Sequence, residues 1–241
     1  MNTKAIRTRV FEEGEDLAEF IAEHIPKLKE RAVLAVASKI IALSESRTAA
    51  LGDERSKEKL VKSESQWAMP TKYVWLTLKD GLFIANAGID ESNADGKLVL
   101  LPKDSFIAAA ALRKALKKLY GLRELGVLIT DSRIVPLRAG VTGVALGCAG
   151  FKGVKDYRGS KDIFGRVMQF EQVNIADLLA SSAILVTGEG NEQKPLAIIE
   201  GADVKFLERV DRKEGLIDVK DDLYYPLFKA ALPKRPGTRK R

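Results

Sequence analysis

Ser105–Ser132 reads SFIAAAALRKALKKLYGLRELGVLITDS, and it holds one complete helix-to-strand unit. The alanine-rich spacing predicts a helix over Ser105–Leu119, with Asp104 or Ser105 as its N-cap and Gly121 as its stop. Val127–Thr130 then supplies a short apolar run suited to a buried strand, ending in Asp131-Ser132. The same alternation extends upstream. Ile6–Phe11 reads as a first strand, and Gly14–Glu30 places Leu17, Phe20, Ile21 and Ile25 at helical spacing. Ala32–Ala37 (AVLAVA) reads as a strand, with a helix able to start at Ser38-Lys39. Arg55–Trp67 is polar and helical in pattern. Tyr73–Leu78 alternates like a half-buried strand, and Lys79-Asp80-Gly81 turns into Leu82–Ala85. Beyond the strand-like Leu98–Leu101 and the opening unit come strands over Gly140–Gly150, Arg166–Val173 and Leu196–Ile199, with a helix over Asp177–Val186. Strands alternating with helices predict an α/β fold, and the hairpin predicts mixed sheets.

The 241 residues are 46% hydrophobic and 30% charged, enough apolar material for a sizeable core. The formal charge of +7 is unevenly placed. Lys229, Lys234, Arg235, Arg239, Lys240 and Arg241 form a proline-punctuated tail without an acidic residue, while residues 1–228 are near neutral. The expected organisation is a catalytic unit over 1–228 and a disordered basic tail over 229–241. A neutral body with only 7% aromatics argues against a nucleic-acid partner. No apolar leader opens the chain, and Ala139–Phe151, its longest uncharged stretch, contains four glycines and is too short to span a bilayer. The expected location is the cytoplasm.

One histidine and one cysteine exclude Cys/His zinc sites, disulfides and Cys-His dyads. His24 reads as a helix-surface residue and Cys148 as a small core residue. Chemistry must then come from carboxylates, hydroxyls, Lys, Arg, backbone amides and a hard metal. GxxxxGK[ST] is missing, since Val127 follows the Gly121–Gly126 pair. GxGxxG is missing too, because Gly188-Glu189-Gly190 runs into Asn-Glu-Gln. P-loop and ordinary Rossmann folds are therefore poor fits.

Three segments follow strand-like or helical runs. Ala85–Asn93 (ANAGIDESN) offers Asp90 and Asn93 to a metal or phosphate, or forms an Asx-type turn. Thr130–Arg133 offers Asp131 and Ser132 as a hard-metal pair, or as an N-cap and its neighbour. Thr187–Gln193 (TGEGNEQ) offers Glu189 and close-approaching amides, or a plain helix end. Glycines at 140, 143, 147 and 150 mark either ligand approach or sheet packing. Asp156–Gly159 and Asp162–Arg166 read as a ligand grip or a turn-rich loop. Together the acids suit a hard-metal phosphoryl-transfer site.

In this order ANAGIDESN, LLP at Leu100–Pro102, ITDS at Ile129–Ser132, RAGVTGVALG at Arg138–Gly147, DYRG, DIFGR and IADLLASSAILVTGEG resemble the coenzyme F-420 gamma-glutamyl ligase (CofE) family. EEGEDLAEFI and LAVASKIIALSESR also fit, so the resemblance runs from about Ile6 to about Gly201. It is nearest to a bacterial subgroup labelled as folate-metabolism gamma-glutamate ligases. The resemblance implies a homodimer of two-part α/β subunits. It implies a GTP-dependent (or ATP-dependent) ligase joining L-glutamate to a carboxylate acceptor, with Mg²⁺ or Mn²⁺. By similarity Asp90, Asp131, Ser132 and Glu189 hold metal. Thr8, Arg9, Val10, Phe11, Ser38, Asn93, Thr187, Gly188, Gly190 and Asn191 contact the nucleotide. Arg138 or Arg158 would bind a substrate carboxylate, and an acyl phosphate would carry the acceptor to glutamate's amine. A metal-dependent phosphohydrolase and an RNA binder led by the basic tail are the rival readings. This chain departs from the family at Leu43, where members carry Lys, at Val135 and Leu137, where they carry Arg and Trp, and at Glu189, where they carry Gln.

Overall fold

The computed structural model describes Met1–Leu232. Its elements begin with β1 (Asn2–Ile6), α1 (Leu17–His24), β2 (Val33–Ala37), α2 (Ser38–Ser44), β3 (Thr48–Ala50), α3 (Glu54–Ser63), β4 (Trp67–Pro70), β5 (Trp75–Lys79) and β6 (Leu82–Ala85). They continue with β7 (Lys97–Val99), α4 (Ser105–Tyr120), β8 (Gly126–Ile134), β9 (Val141–Ala149), β10 (Val154–Asp156), β11 (Gln172–Asn174), α5 (Ile175–Thr187), β12 (Leu196–Glu200) and α6 (Tyr225–Phe228). Two units share them: Met1–Leu51 with Ile89–Gly215, and Gly52–Gly88 with the chain from Leu216 onward.

The first unit is built on a five-stranded sheet ordered β1-β12-β2-β8-β9. Only β2 and β8 run parallel; each of the other neighbouring pairs is antiparallel. Alternation along β2 explains why VLAVA is apolar at every position. Leu34 and Val36 join Val127 and Ile129 of β8 under Phe20 and Ile21 of α1, Ile40 and Ile41 of α2, and Leu112 and Leu116 of α4. Val33 and Ala35 join Leu128 and Cys148 on the opposite face, under Leu179, Ala180 and Ala183 of α5. Helices on both faces leave no wet side, so a polar alternation would have been costly here. Each Leu or Ile so buried contributes roughly 1.5–3 kcal/mol of transfer free energy.

Two glycines let the helices sit down on β9. A Cβ at Gly143 would lie 2.4 Å from the α5 backbone at Ala180 and Ser181, and one at Gly147 would lie 2.5 Å from the α4 backbone at Ser105. The glycine spacing of this strand thus serves helix–sheet packing. Asp104 caps α4 through Ile107 N, and Gly121 ends it in the left-handed region.

The second unit is a β4-β5-β6 antiparallel sheet with α3 and the 225–228 turn of helix. Thr77 is fully buried, donating to Ile84 O at 2.6 Å and accepting from Ala87 N at 2.9 Å. Phe83 packs on Phe228 with ring centroids 4.8 Å apart.

The α/β fold with mixed sheets is as expected, and the sheet order is neither P-loop nor Rossmann. Several boundaries differ. The first strand is Asn2–Ile6, and Ile6–Phe11 leaves the sheet because Phe11 turns into the core edge-on to Phe20, centroids 4.9 Å apart. The strand expected over Arg166–Val173 is only Gln172–Asn174; turns closed by Asp162 on Phe164 N and Arg166 N occupy the approach to it. Asp131 and Ser132 lie within β8, which continues past an irregularity at Ile129/Thr130 and pairs with β9 as far as Ile134. Of the expected 229–241 tail, everything past Leu232 lies outside the described residues. Among the described residues no helix is long and apolar enough to cross a membrane.

Candidate active site

The sheet order carries every acidic candidate to one edge. At that edge lie the C-terminal ends of β1, β2 and β8 and the N-terminal ends of β12 and β9. Ser38-Lys39 follows β2, and Asp131-Ser132 follows Thr130, the β8 partner of Ala37. The Thr187–Gln193 loop enters β12, fastened by Ala37 N to Pro195 O at 2.9 Å and by Thr8 N to Gln193 O at 2.9 Å. Asp90 arrives on a bridge to Val99, with both backbone hydrogen bonds made, at 3.0 and 2.8 Å. Crevices outside the carboxyl ends of parallel strands are the usual ligand sites of α/β sheets.

The acids are not alike. Asp90 Oδ2 accepts from Lys39 Nζ at 2.8 Å and from the Ser92 hydroxyl at 2.9 Å, while Oδ1 accepts from Ser92 N at 2.7 Å. Burial works to raise its pKa, but the Lys39 ammonium and the Ser92 donors outweigh that and hold it below the ordinary range. Among the described residues the Asp131 carboxylate accepts one hydrogen bond, from Ser132 N at 2.8 Å. Burial lifts its pKa to about 7, with the charges of Asp90 and Glu189 adding to the rise against the Ser132 amide and Lys39. Glu189, at the rim, is also raised, first by burial; the Ser132 hydroxyl bonds it and opposes the shift, while Asp90 and Glu192 add to it.

Lys39, which holds Asp90 here, is the site side chain that sequence reasoning passed over. Its only local signal was a position one residue into a helix that follows a parallel strand. Asn93, in the left-handed region, donates from Nδ2 to Gly190 O at 3.1 Å and so links the Asp90 and Glu189 loops.

The other expected nucleotide contacts sort by what they already hold. Thr8 is buried, and Phe11 is a core ring, so that segment offers chiefly backbone. Arg9 is engaged by Glu15 at 2.8 Å and Glu23 at 3.0 Å and lies over Phe20; Val10 is exposed. Ser38 is buried at the head of α2. Thr187 closes α5, and Gly188 follows at φ +80°, where a Cβ would also meet the Glu192 carboxylate at 2.3 Å. Glu192 accepts from Gly190 N at 2.8 Å, occupying one of the amides the loop could offer; Asn191 is exposed. Leu43 packs against the core.

The two arginines are placed differently from one another. Arg138 is exposed in the turn between β8 and β9, its backbone N donating to Val135 O at 3.2 Å. Arg158 is locked on Asp156, with Nε 2.9 Å from Oδ1 and Nη2 2.6 Å from Oδ2. Its segment adjoins the start of α5, where Ala176 N donates to Gly153 O, whereas Glu189 follows the far end of that helix. Thirteen helical residues separate the two ends by roughly 20 Å.

A hard divalent cation fits the donor chemistry. Every available group is a carboxylate, hydroxyl or carbonyl oxygen. Asp131 is a half-buried acid without a cation of its own, which a divalent charge would keep ionised. Among the described residues no three His, Cys, Asp or Glu side chains stand in a metal-holding group.

Residues 5–201 match the family model described as F420-0:Gamma-glutamyl ligase. The coenzyme F420:L-glutamate ligase of Methanopyrus kandleri is 36% identical over 207 residues, covering 78% of this chain and 81% of its own length. That of Methanococcus maripaludis is 33% identical over 208 residues, covering 79% of this chain and 83% of its own length. That of Archaeoglobus fulgidus is 32% identical over 226 residues, covering 85% and 90%.

Proposed function

The chain belongs to the F420-0:Gamma-glutamyl ligase family, and on that footing we propose that it joins L-glutamate to a carboxylate acceptor at the expense of a nucleoside triphosphate, GTP first. The names of its relatives favour an F420-type acceptor; a folate-like molecule or a glutamyl chain is the alternative. The observation that carries the reading is the gathering of Asp90, Asp131, Ser132, Glu189 and Lys39 at one sheet edge, without a histidine or cysteine among them.

A carboxylate oxygen is a poor leaving group, so amide formation needs activation. The acceptor carboxylate attacks the γ-phosphorus, the nucleoside diphosphate departs, and an acyl phosphate results. Glutamate's amine then attacks the acyl carbon, inorganic phosphate leaves, and the amine sheds its proton. A Mg²⁺ or Mn²⁺ held by Asp90, Asp131, Glu189 and the Ser132 hydroxyl would neutralise charge on the β and γ oxygens. The chain itself contributes geometry. Asn93 ties the two acidic loops together, and the Asp90 carboxylate is set by Ser92. Arg138 is the proposed anchor for a substrate carboxylate; Arg158 serves only if its pair with Asp156 opens.

A second copy of the chain is the proposed partner. The 157–171 excursion carries Ile163, Phe164 and Phe170 at 84–92% exposure, an apolar surface suited to burial against another protomer.

The test measures nucleoside diphosphate release with Mn²⁺, glutamate and an acceptor panel, with mass spectrometry counting glutamyl additions. Glutamate-dependent turnover, strongly lowered in Asp131→Asn, is expected. Hydrolysis indifferent to glutamate would transfer the reading to a phosphohydrolase.

A further inference from the structure

The Lys39 ammonium sits in a small cage of oxygens: Asp90 Oδ2 at 2.8 Å, the Ser92 carbonyl at 2.5 Å and the Ser92 hydroxyl at 3.4 Å. Carboxylate, carbonyl and hydroxyl oxygens are also the ligand types a hard divalent cation selects. The Asp90 carboxylate is nearly saturated, since Ser92 N holds Oδ1 while Lys39 and the Ser92 hydroxyl share Oδ2. A carboxylate offers about four lone-pair positions, and three are used. Asp131 and Glu189 meanwhile feel Lys39 only at a distance, as a charge opposing their rise.

We propose that Lys39 is a positioning residue that stands in for the metal. It holds the Asp90–Ser92 loop in ligating shape and is displaced from the Asp90 carboxylate when a divalent cation binds there. The inference rests on the metal-assisted reading above. An ammonium and a divalent ion on one carboxylate oxygen repel each other strongly at such separations. Lys39 is the partner free to leave, because its charge rides on a flexible four-carbon stem whose side chain is 25% exposed. Departure from the cage disturbs none of the backbone hydrogen bonds that hold Asp90 to Val99. Metal binding in the resting protein is therefore a cation exchange, and its apparent affinity is lowered by the resident ammonium.

The experiment uses the full chain without nucleotide and Mn²⁺ alone as probe. Bound Mn²⁺ is counted by loss of the free-ion paramagnetic resonance signal in wild type, Lys39→Met and Lys39→Arg. In parallel, wild type is treated with an amine-acetylating reagent with and without Mn²⁺, and labelling of Lys39 is read by peptide mass spectrometry. Lys97, paired with Glu13, is the internal control. Lys39→Met should bind Mn²⁺ about tenfold tighter or more, and Lys39→Arg about as weakly as wild type. Lys39 labelling should rise several-fold at saturating Mn²⁺ while Lys97 stays constant. Unchanged Lys39 labelling at saturation overturns the proposal, as does a Lys39→Met chain with no gain. Because the labelling arm needs no variant, misfolding of a mutant leaves the proposal exposed to refutation. If none of the three chains binds Mn²⁺, the metal-assisted reading falls and this inference with it. Binding with an unmoved Lys39 sinks this inference alone.

Discussion

The Asp90 loop and the Asp131 segment of β8 bring the same functional group to the same sheet edge, and they do so in opposite states. Asp90 is surrounded by donors and an ammonium, so its negative charge is already stabilised. Asp131 is deeper, has a single amide donor, and faces two other carboxylates. Residue type is constant between the two; the count of donors and the exposure differ. The pair teaches that this edge is incompletely neutralised, with the deficit concentrated at Asp131.

That contrast makes predictions of decreasing size. Asp131→Asn should lower glutamate-dependent nucleotide turnover by on the order of 10²–10³-fold, while leaving the metal-free protein at least as stable as wild type. Steady-state kinetics beside denaturant unfolding checks both halves. A metal-free Asp131→Asn chain that unfolds more easily than wild type would erase the distinction.

Second comes pH. The folded chain retains a proton on Asp131 to about pH 7, whereas the ordinary value is 3.8, so the folded state binds more protons between them. Stability of the metal-free protein should therefore fall as pH rises from about 4 to about 7, by up to about 2–4 kcal/mol, then level off. The difference between wild type and Asp131→Asn across urea titrations isolates this group. Asp156, Glu208 and other acids with lowered values act in the opposite direction, and at lower pH. Mn²⁺ affinity should rise through the same window as the proton leaves.

Third, Asp90→Asn should cost about 1 kcal/mol of stability at pH 7, since it breaks a partly exposed pair with Lys39. Because the Asp90 pKa is lowered, that contribution should vanish as pH falls through its folded value. A stability gain in this variant would show that Asp90 and Asp131 are not opposites.

The smallest effect belongs to Ser132→Ala. Losing the hydroxyl, a neutral donor to the proposed metal that also faces Glu189, should weaken Mn²⁺ binding by about fivefold, on the scale of one ordinary hydrogen bond. Calorimetric titration resolves a change of that size.

Much of the frame could be read from residues alone. AVLAVA, the alanine-rich helix with its Asp104 cap and Gly121 stop, and the Asp80-Gly81 hairpin each carry local signals strong enough to survive folding. The acids that gather at this edge were also legible, because oxygen chemistry was what remained once His and Cys were nearly absent. What was not legible depends on distant partners. Ile6–Phe11 alternates like a strand, yet Phe11 is needed under α1 and the pairing goes to Asn2–Ile6. Asp131 looked like the start of a loop because the pairing partner that extends β8 lies beyond an unpaired turn. Lys39 meets Asp90 across 51 residues of sequence, a distance over which no periodicity speaks. The opposite placement of Arg158 and Glu189 along α5 is likewise a property of the assembled unit.

The sheet order has a consequence in time. β12 lies between β1 and β2, so residues as far apart as Asn2 and Glu200 must pair before the sheet is whole. On a ribosome adding about 5–20 residues each second, the β2 edge waits roughly 10–30 s for its neighbour to be made. During that interval VLAVA presents an unpaired apolar edge, the kind of surface that seeds association between nascent chains. The edge is capped only when the loop carrying Glu189 has also emerged. Sheet closure and assembly of the acidic edge are therefore one late event in the life of each molecule.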